Sequence, residues 1–199
     1  MEKLFNNVEQ NKIKISFPSV SDTNQILAVQ KSVLLKDENL IADESIGKKG
    51  FLVNEININD LNDAIEHNQK ESFITIARNT KDKIVGYFLA YDLGYFIKKN
   101  PNWLNEVGIN PEIIENKKVI YGKHLASDGS IKGVGRALEI EMYDLVKHLG
   151  YSVCLVEMCE GPIRNDKSLG IHTNEFFYKK ISEYKDKNNF TWGIYSKEL

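Results

Sequence analysis

The sequence predicts an α/β domain with a mixed, mostly antiparallel sheet, and three observations lead there. Ser72–Arg78 and Ile84–Tyr91 are β-rich runs joined by the turn residues Asn79–Lys83, the signature of a hairpin. Val119–Ala126, Gly133–Leu149 and Ser152–Met158 read in order as strand, helix and strand. Such a unit closes as two parallel strands joined by a right-handed crossover. Phe190–Tyr195 is a further β-rich run near the end of the chain, so the sheet combines a parallel pair with hairpins.

Taken in order, residues 1–12 are polar and read as a tail, with one domain over 13–199. Lys14–Phe17 is a first strand that Pro18 ends, and Ser21 or Asp22 can cap a helix over Thr23–Leu35. Residues 36–50 read as a connection, Gly50–Val53 as a short apolar piece, and Asn59 or Asp60 as the cap of a helix reaching His67. Residues 92–117 form a long connection whose aromatics, Tyr95, Phe96 and Trp103, either wall a substrate or pack as a local core. In the helix over Gly133–Leu149, Val134, Leu138, Met142, Leu145, Val146 and Leu149 recur near a 3.6 period, and Gly150 follows as its stop. After a Gly-Pro turn, Lys167–Tyr178 reads as a last helix.

Composition narrows the function classes. With 199 residues the chain suits one domain large enough to bury a core. A formal net charge of −2 argues against binding a nucleic-acid backbone, which calls for a basic excess. No apolar run reaches the roughly 18 residues of a membrane span, and the polar start lacks the core of a signal peptide. The two cysteines, Cys154 and Cys159, match no zinc spacing and lie in an apolar run, so no metal site is expected and a reducing cytoplasm fits.

The residues that carry chemistry begin at Ser130-Ile131-Lys132-Gly133-Val134-Gly135-Arg136, between a strand and an amphipathic helix. Glycines there let the backbone approach a ligand, and the first amides of a helix, unpartnered and at the positive end of its dipole, suit a phosphate. A P-loop fails because Arg136 and Ala137 follow the second glycine. A dinucleotide fingerprint has its acid in Glu157, but Leu138 takes the place of a small residue, and the roughly 60 residues that remain are too few for its sheet.

The segment resembles the signature of the GNAT acetyltransferases, Arg/Gln-x-x-Gly-x-Gly/Ala, with Ser130 in place of the long polar residue and with Gly133 and Gly135 in register. A second block, Val156-Glu157-Met158 and then Pro162 through His172, is similar to that family's closing pattern Asn-x-x-Ala/Ser-x-x-apolar-Tyr/His, met here by Asn165, Ser168, Ile171 and His172. One bacterial branch of the family carries a Glu…Pro-x-x-Asn-x-x-Ser…His version, although Phe176-Phe177 replaces its final pair. The resemblance covers about residues 70–195.

What the resemblance implies is a single GNAT-like domain whose fourth and fifth strands are parallel and splay apart around acetyl-CoA. Backbone near Leu125 would pair with the pantetheine arm. Amides of Ile131, Lys132, Gly133, Val134, Gly135 and Arg136 would hold the pyrophosphate, Ser130 would stand beside them in the cofactor site with one phosphate contact fewer than the family's long polar residue makes, and Asn165 would touch the cofactor from the fifth-strand side. The implied reaction is acetyl transfer to a primary amine, on a small molecule or a protein N-terminus. Glu157, an acid inside an apolar strand, is the first choice of base and Glu160 the second. His172 is the proton donor to the leaving thiolate, with Tyr178 and His124 as fallbacks. A non-catalytic CoA-binding sensor of the same fold and a nucleotide-binding oxidoreductase are the competing readings. The acceptor's identity is not legible, and a homodimer stays open.

Overall fold

The computed structural model describes residues 12–35 and 45–199. Of the expected tail, residues 1–11 lie outside the described residues, as does most of the connection over 36–50. Seven strands form one sheet in the order β1-β2-β3-β4-β5-β7-β6. They are β1 (Ile13–Ser16), β2 (Ser72–Asn79), β3 (Ile84–Asp92), β4 (Val119–Ser127), β5 (Val153–Gly161), β6 (Lys179–Lys185) and β7 (Thr191–Glu198). Every neighbouring pair is antiparallel except β4 and β5, which are parallel. Those two central strands are near-continuous apolar runs because both of their faces are covered.

The pleat sends alternate side chains to opposite faces. On one face Ile74, Ile76, Tyr87 and Leu89 pack against α1 (Thr23–Val33) and α3 (Ile58–Glu66), whose contributions include Ile26, Val29 and Leu61. On the other, Phe73, Ala77, Val85, Phe88 and Ile120 meet α6 (Val134–His148) through Val134, Leu138, Met142 and Val146. Leu138 is fully buried, and cutting such a leucine to alanine costs about 2–5 kcal/mol.

The helix starts are set by side chains. Asn57 accepts from the Asp60 amide and starts α3, two or three residues ahead of the expected caps. Thr23–Val33 is preceded by a 3-10 turn over Val20–Asp22, where Ser19 and Asp22 bond reciprocally. A short helix α2 (Ser45–Lys49) precedes the piece Phe51–Val53, where Leu52 bridges Leu34.

Two expectations change. Residues 92–117 are not bare connection. They hold α4 (Leu93–Lys99), capped by the Asp92 carboxylate on the Tyr95 amide, then α5 (Trp103–Glu106) and a 3-10 turn over Pro111–Ile113. The expected helix over Lys167–Tyr178 is a short α7 (Asp166–Leu169) followed by a π-turn over Gly170–Glu175, and the chain then enters strand β6. That strand escapes sequence reading because it is an exposed edge of the sheet, rich in lysine, as edge strands often are.

The feature that matters most lies at the centre of the sheet. β4 and β5 pair over only four positions, from Val119 opposite Val153 to Gly122 opposite Val156. Both strands run on, β4 held by β3 and β5 by β7. At the parting point Leu89 faces His124 and Ala90 faces Gly122, which leaves Lys123 as an extra residue, a bulge. A bulge bends its strand and adds twist, and here it turns β4 away from β5.

Candidate functional site

The fork opens into a cleft of about 700 Å³. Its sides are β4 from Lys123 to Ser127 and β5 from Glu157 to Cys159. The start of α6 closes one end, and Gly50–Asn54 with Asn165, Ser168 and His172 forms the outer wall. At the vertex a methyl group on Gly122 would stand 3.0 Å from Val156 and 3.2 Å from Phe88, so any larger residue there needs those side chains to give way.

Gly133 is the N-cap of α6 in a left-handed conformation, φ 86°, and no side chain caps the helix. The first amides of a helix have no partner within it, and Gly133 to Arg136 line the cleft. Arg136 pairs with Glu175 through Nη2 at 3.0 Å, while its Nε is buried with no hydrogen-bond partner among the described residues. A buried orphan donor costs free energy until something accepts from it. Lys49, Lys123, Lys132, Arg136 and Lys167 line the same cleft, against the carboxylates Glu157 and Glu175. In a protein of net charge −2, this local excess of cations favours an anionic ligand.

Most of the residues singled out in the sequence meet here. Leu125, Ile131, Lys132, Gly133, Val134, Gly135, Arg136, Glu157, Asn165, His172 and His124 all line the cleft. Ser130 does not. It is exposed, and its amide and hydroxyl both donate to Asp128, at 2.9 and 2.5 Å. Asn165 is buried, donates to the Phe51 carbonyl at 2.9 Å and accepts from the Ser168 amide at 3.2 Å, so it ties the outer wall to α7.

Glu157 accepts from the indole N–H of Trp103 at 2.8 Å, and after burial its charge is the next cause that raises the pKa values of Tyr121 and Tyr184. Neither Trp103 nor Phe96 lines the cleft. They pack with Tyr121, Phe96 edge-on to Trp103 at 5.3 Å and against Tyr121 at 4.5 Å, in a cluster with Leu93, Val107 and Ile109. Phe96 and Trp103 therefore form a local core that backs the carboxylate, whereas Tyr95 lies outside it, against Tyr91, and donates to Asp63 at 3.1 Å. Glu160 lies outside the cleft lining. Burial raises its pKa, but Lys180 at 2.6 Å and the Tyr195 hydroxyl outweigh that and lower it.

His124 is buried, and burial with the Lys123 charge pushes its pKa down to about 3, so the imidazole is neutral. The Tyr87 hydroxyl donates to Gln30 at 3.4 Å, which leaves its oxygen to accept from His124 Nδ1 at 3.2 Å. Both nitrogens of His172 face protein. Nδ1 donates to the Ser168 carbonyl at 2.8 Å, and Nε2 lies 3.4 Å from Glu139. Tyr178 sits behind the cleft, bonded to Tyr143 at 2.6 Å, and burial holds its pKa well above 10.0. Sequence reading missed Glu139, although its spacing from Met142, Tyr143 and Val146 puts it on the buried stripe of α6. It also missed Tyr121 and Tyr184, for which no short-range signal exists.

No protein-family model matches the chain, and no curated protein is similar to it in sequence. Solved structures are similar in fold. PaiA N-acetyltransferase from Thermoplasma acidophilum, solved with coenzyme A, superposes with a TM-score of 0.58 at 14% identity, over 94% of this chain and 99% of that one. The ribosomal-protein-S18-alanine N-acetyltransferase from Escherichia coli gives 0.60 at 9% identity, over 94% of each chain. A GCN5-related N-acetyltransferase from Kribbella flavida gives 0.58 at 12%, over 94% of this chain and 98% of that one. The fold is that of the GNAT N-acetyltransferases. No described helix is long and apolar enough to cross a membrane.

Proposed function

We propose that this chain is an acetyl-CoA-dependent N-acetyltransferase that acetylates a primary amine, on a small molecule or a protein N-terminus, by direct attack in a ternary complex. One observation carries the reading: the fork between β4 and β5 opens onto an uncapped helix start with an orphaned arginine donor on one side and the Glu157 carboxylate on the other.

The residues present fit the cofactor. Main-chain groups from Ile131 to Arg136 would hold its pyrophosphate, with Arg136 Nε and Lys132 adding charge-assisted contacts. Backbone near Leu125, unpaired on the fork side, would hold the pantetheine arm, with Asn165 opposite. When bound, acetyl-CoA supplies an acetyl group activated as a thioester.

The protein's part is to prepare the amine and balance charge. An ammonium ion is not nucleophilic, so Glu157 takes its proton, with Trp103 fixing the carboxylate. A main-chain N–H of β4 near Leu125 stabilises negative charge on the acyl oxygen. Neither cysteine competes as nucleophile, because burial pushes Cys159 up to about 11 and Cys154 to about 12.

The test is twofold. CoA at 100 times its dissociation constant should stabilise the protein by about 2.7 kcal/mol, a rise of roughly 5–10 °C in Tm. Acetyl-CoA with a panel of amines should release free thiol in the wild type and far more slowly in Glu157→Gln. CoA binding without release for any amine would make the chain a CoA sensor. No stabilisation by CoA would sink both.

A further inference from the structure

Where β4 and β5 part, two opposite charges flank the opening and do not pair. The last rung between the strands joins Gly122 to Val156, so Lys123 and Glu157 come next, one on each arm of the fork. The pleat puts both on the face of Tyr121 and Leu155. Their contacts agree: the Lys123 ammonium stands 5.8 Å from the centres of the Phe96 and Tyr121 rings, and Glu157 accepts from Trp103 of the same aromatic core. Both residues line the cleft and both are half-buried. Yet the Lys123 ammonium has no ion pair among the described residues.

Lys123 is the one cation that the two strands bring to the cleft, since His124 beside it is neutral. The other cations stand elsewhere, Lys132 and Arg136 at the glycine turn and helix start, Lys49 and Lys167 on the outer wall. Two residues beyond Glu157, on the same face of β5, Cys159 pairs with Trp192 of β7. With Phe51 and Val53 they make an apolar wall of the cleft. The indole N–H of Trp192 is committed to Asp186 at 3.0 Å, so that wall offers a ligand no donor there.

We propose that the acceptor is a free α-amino acid with an apolar side chain. Its ammonium faces Glu157, its carboxylate pairs with Lys123, and its side chain lies against Phe51 and Trp192. The proposal rests on the acetyl-transfer reading and narrows it. A C–N bond forms as the thioester C–S bond breaks, giving an N-acetyl amino acid. The nitrogen loses two protons, one to Glu157 before attack and one afterwards; the thiolate takes one up, and one is released to solvent. A polyamine would bring a second cation toward Lys123, and the cleft's other carboxylate, Glu175, is paired with Arg136 at the helix start. A protein N-terminus offers a neutral amide where the amino acid has its carboxylate, and leaves Lys123 without a counter-charge.

The experiment measures thiol release by the full-length protein from acetyl-CoA with leucine, methionine and phenylalanine. Each is compared with its amide, its decarboxylated amine and a peptide that begins with it. The amide is the hard control, because its ammonium gives up a proton more easily and the chemistry alone favours it. The best of the three amino acids should exceed its amide and its amine by about 10- to 100-fold in kcat/KM, mostly through KM. Lys123→Met should bring that preference close to one, while Lys123→Arg should keep most of it, since a guanidinium also pairs a carboxylate. If Lys123→Met does not fold, the wild-type ratios and Lys123→Arg decide. Turnover of the amide, the amine or the peptide as fast as the amino acid would overturn this acceptor and leave acetyl transfer standing. So would a preference that survives in Lys123→Met. A wild type that binds CoA but releases thiol with no acceptor would overturn the transfer reading, and this proposal with it.

Discussion

The indole N–H of Trp103 donates to the Glu157 carboxylate at 2.8 Å, across 54 residues of sequence. The bond joins a helix in the long connection to the middle of the sheet, so α5 aims the carboxylate from behind the cleft. Losing a hydrogen bond to a charged group costs about 1.5–3 kcal/mol. Trp103→Phe keeps most of the packing against Phe96 and Tyr121 but drops that donor. We expect kcat/KM for the amine to fall at least about tenfold, with the CoA-induced shift in Tm unchanged. Trp103 acts through Glu157, so its effect should vanish in a Glu157→Gln background, and a double-mutant cycle on amine turnover checks this.

The vertex of the fork yields a second expectation. A methyl at Gly122 meets Val156 at 3.0 Å and the Phe88 ring at 3.2 Å, which is overpacking and costs about 1–3 kcal/mol. Gly133, at φ 86°, is a different case, since alanine there costs about 1–2 kcal/mol of backbone strain and tilts the first amides of α6. Thermal melts with and without CoA separate the two losses. Gly133→Ala should lose more in CoA-induced stabilisation than in the melting temperature of the free protein. Equal CoA stabilisation of Gly133→Ala and wild type would remove the helix start from the cofactor site.

The strand-helix-strand unit was legible because each piece carries its own periodicity, from the apolar runs of β4 and β5 to the 3.6 period of α6. The glycine turn was legible because the motif and the contacts it makes are local. The backing of Glu157 was not. Trp103 reaches it from a separate element, and such a contact exists only once the sheet is closed. The strand β6 was hidden by its own charge, since Lys179, Lys180, Glu183 and Lys185 leave little apolar alternation to read. The turn Gly170–Glu175 was legible as helical but not as a π-turn, which depends on how His172 seats against Ser168 and Glu139.

A pH prediction follows from Asp22. Arg78 on β2 donates to it at 2.6 Å, and both side chains are largely buried. Burial raises the carboxyl's pKa, but the Ser19 amide and Arg78 outweigh it, so the value lies below the ordinary 3.8. A group with a depressed folded pKa contributes stability above its unfolded value and loses it as pH falls through the folded one. The pair should therefore hold at pH 5 to 8 and fail only below about pH 4. Asp22→Asn should cost on the order of 2 kcal/mol at pH 7 and flatten the fall in stability at the acid end. Urea denaturation midpoints at several pH values for both proteins measure it.

The two thiols give the sharpest check on direct transfer. Cys159 lines the cleft, yet burial pushes its pKa up to about 11 and its sulfur donates to the carbonyls of Gly161 and Ile163 at 3.4 Å. At pH 8 its thiolate fraction is roughly one in a thousand. Cys154 lies deeper still, with its pKa at about 12. The native protein should therefore react with an aromatic disulfide reagent only as fast as it opens, and both thiols should become reactive in denaturant. Incubation with acetyl-CoA alone should leave no acetyl adduct by intact mass. Cys159→Ser, which keeps a donor for the two carbonyls, should retain turnover. An acetylated Cys159 together with an inactive serine variant would replace attack by the amine on the thioester with a covalent relay.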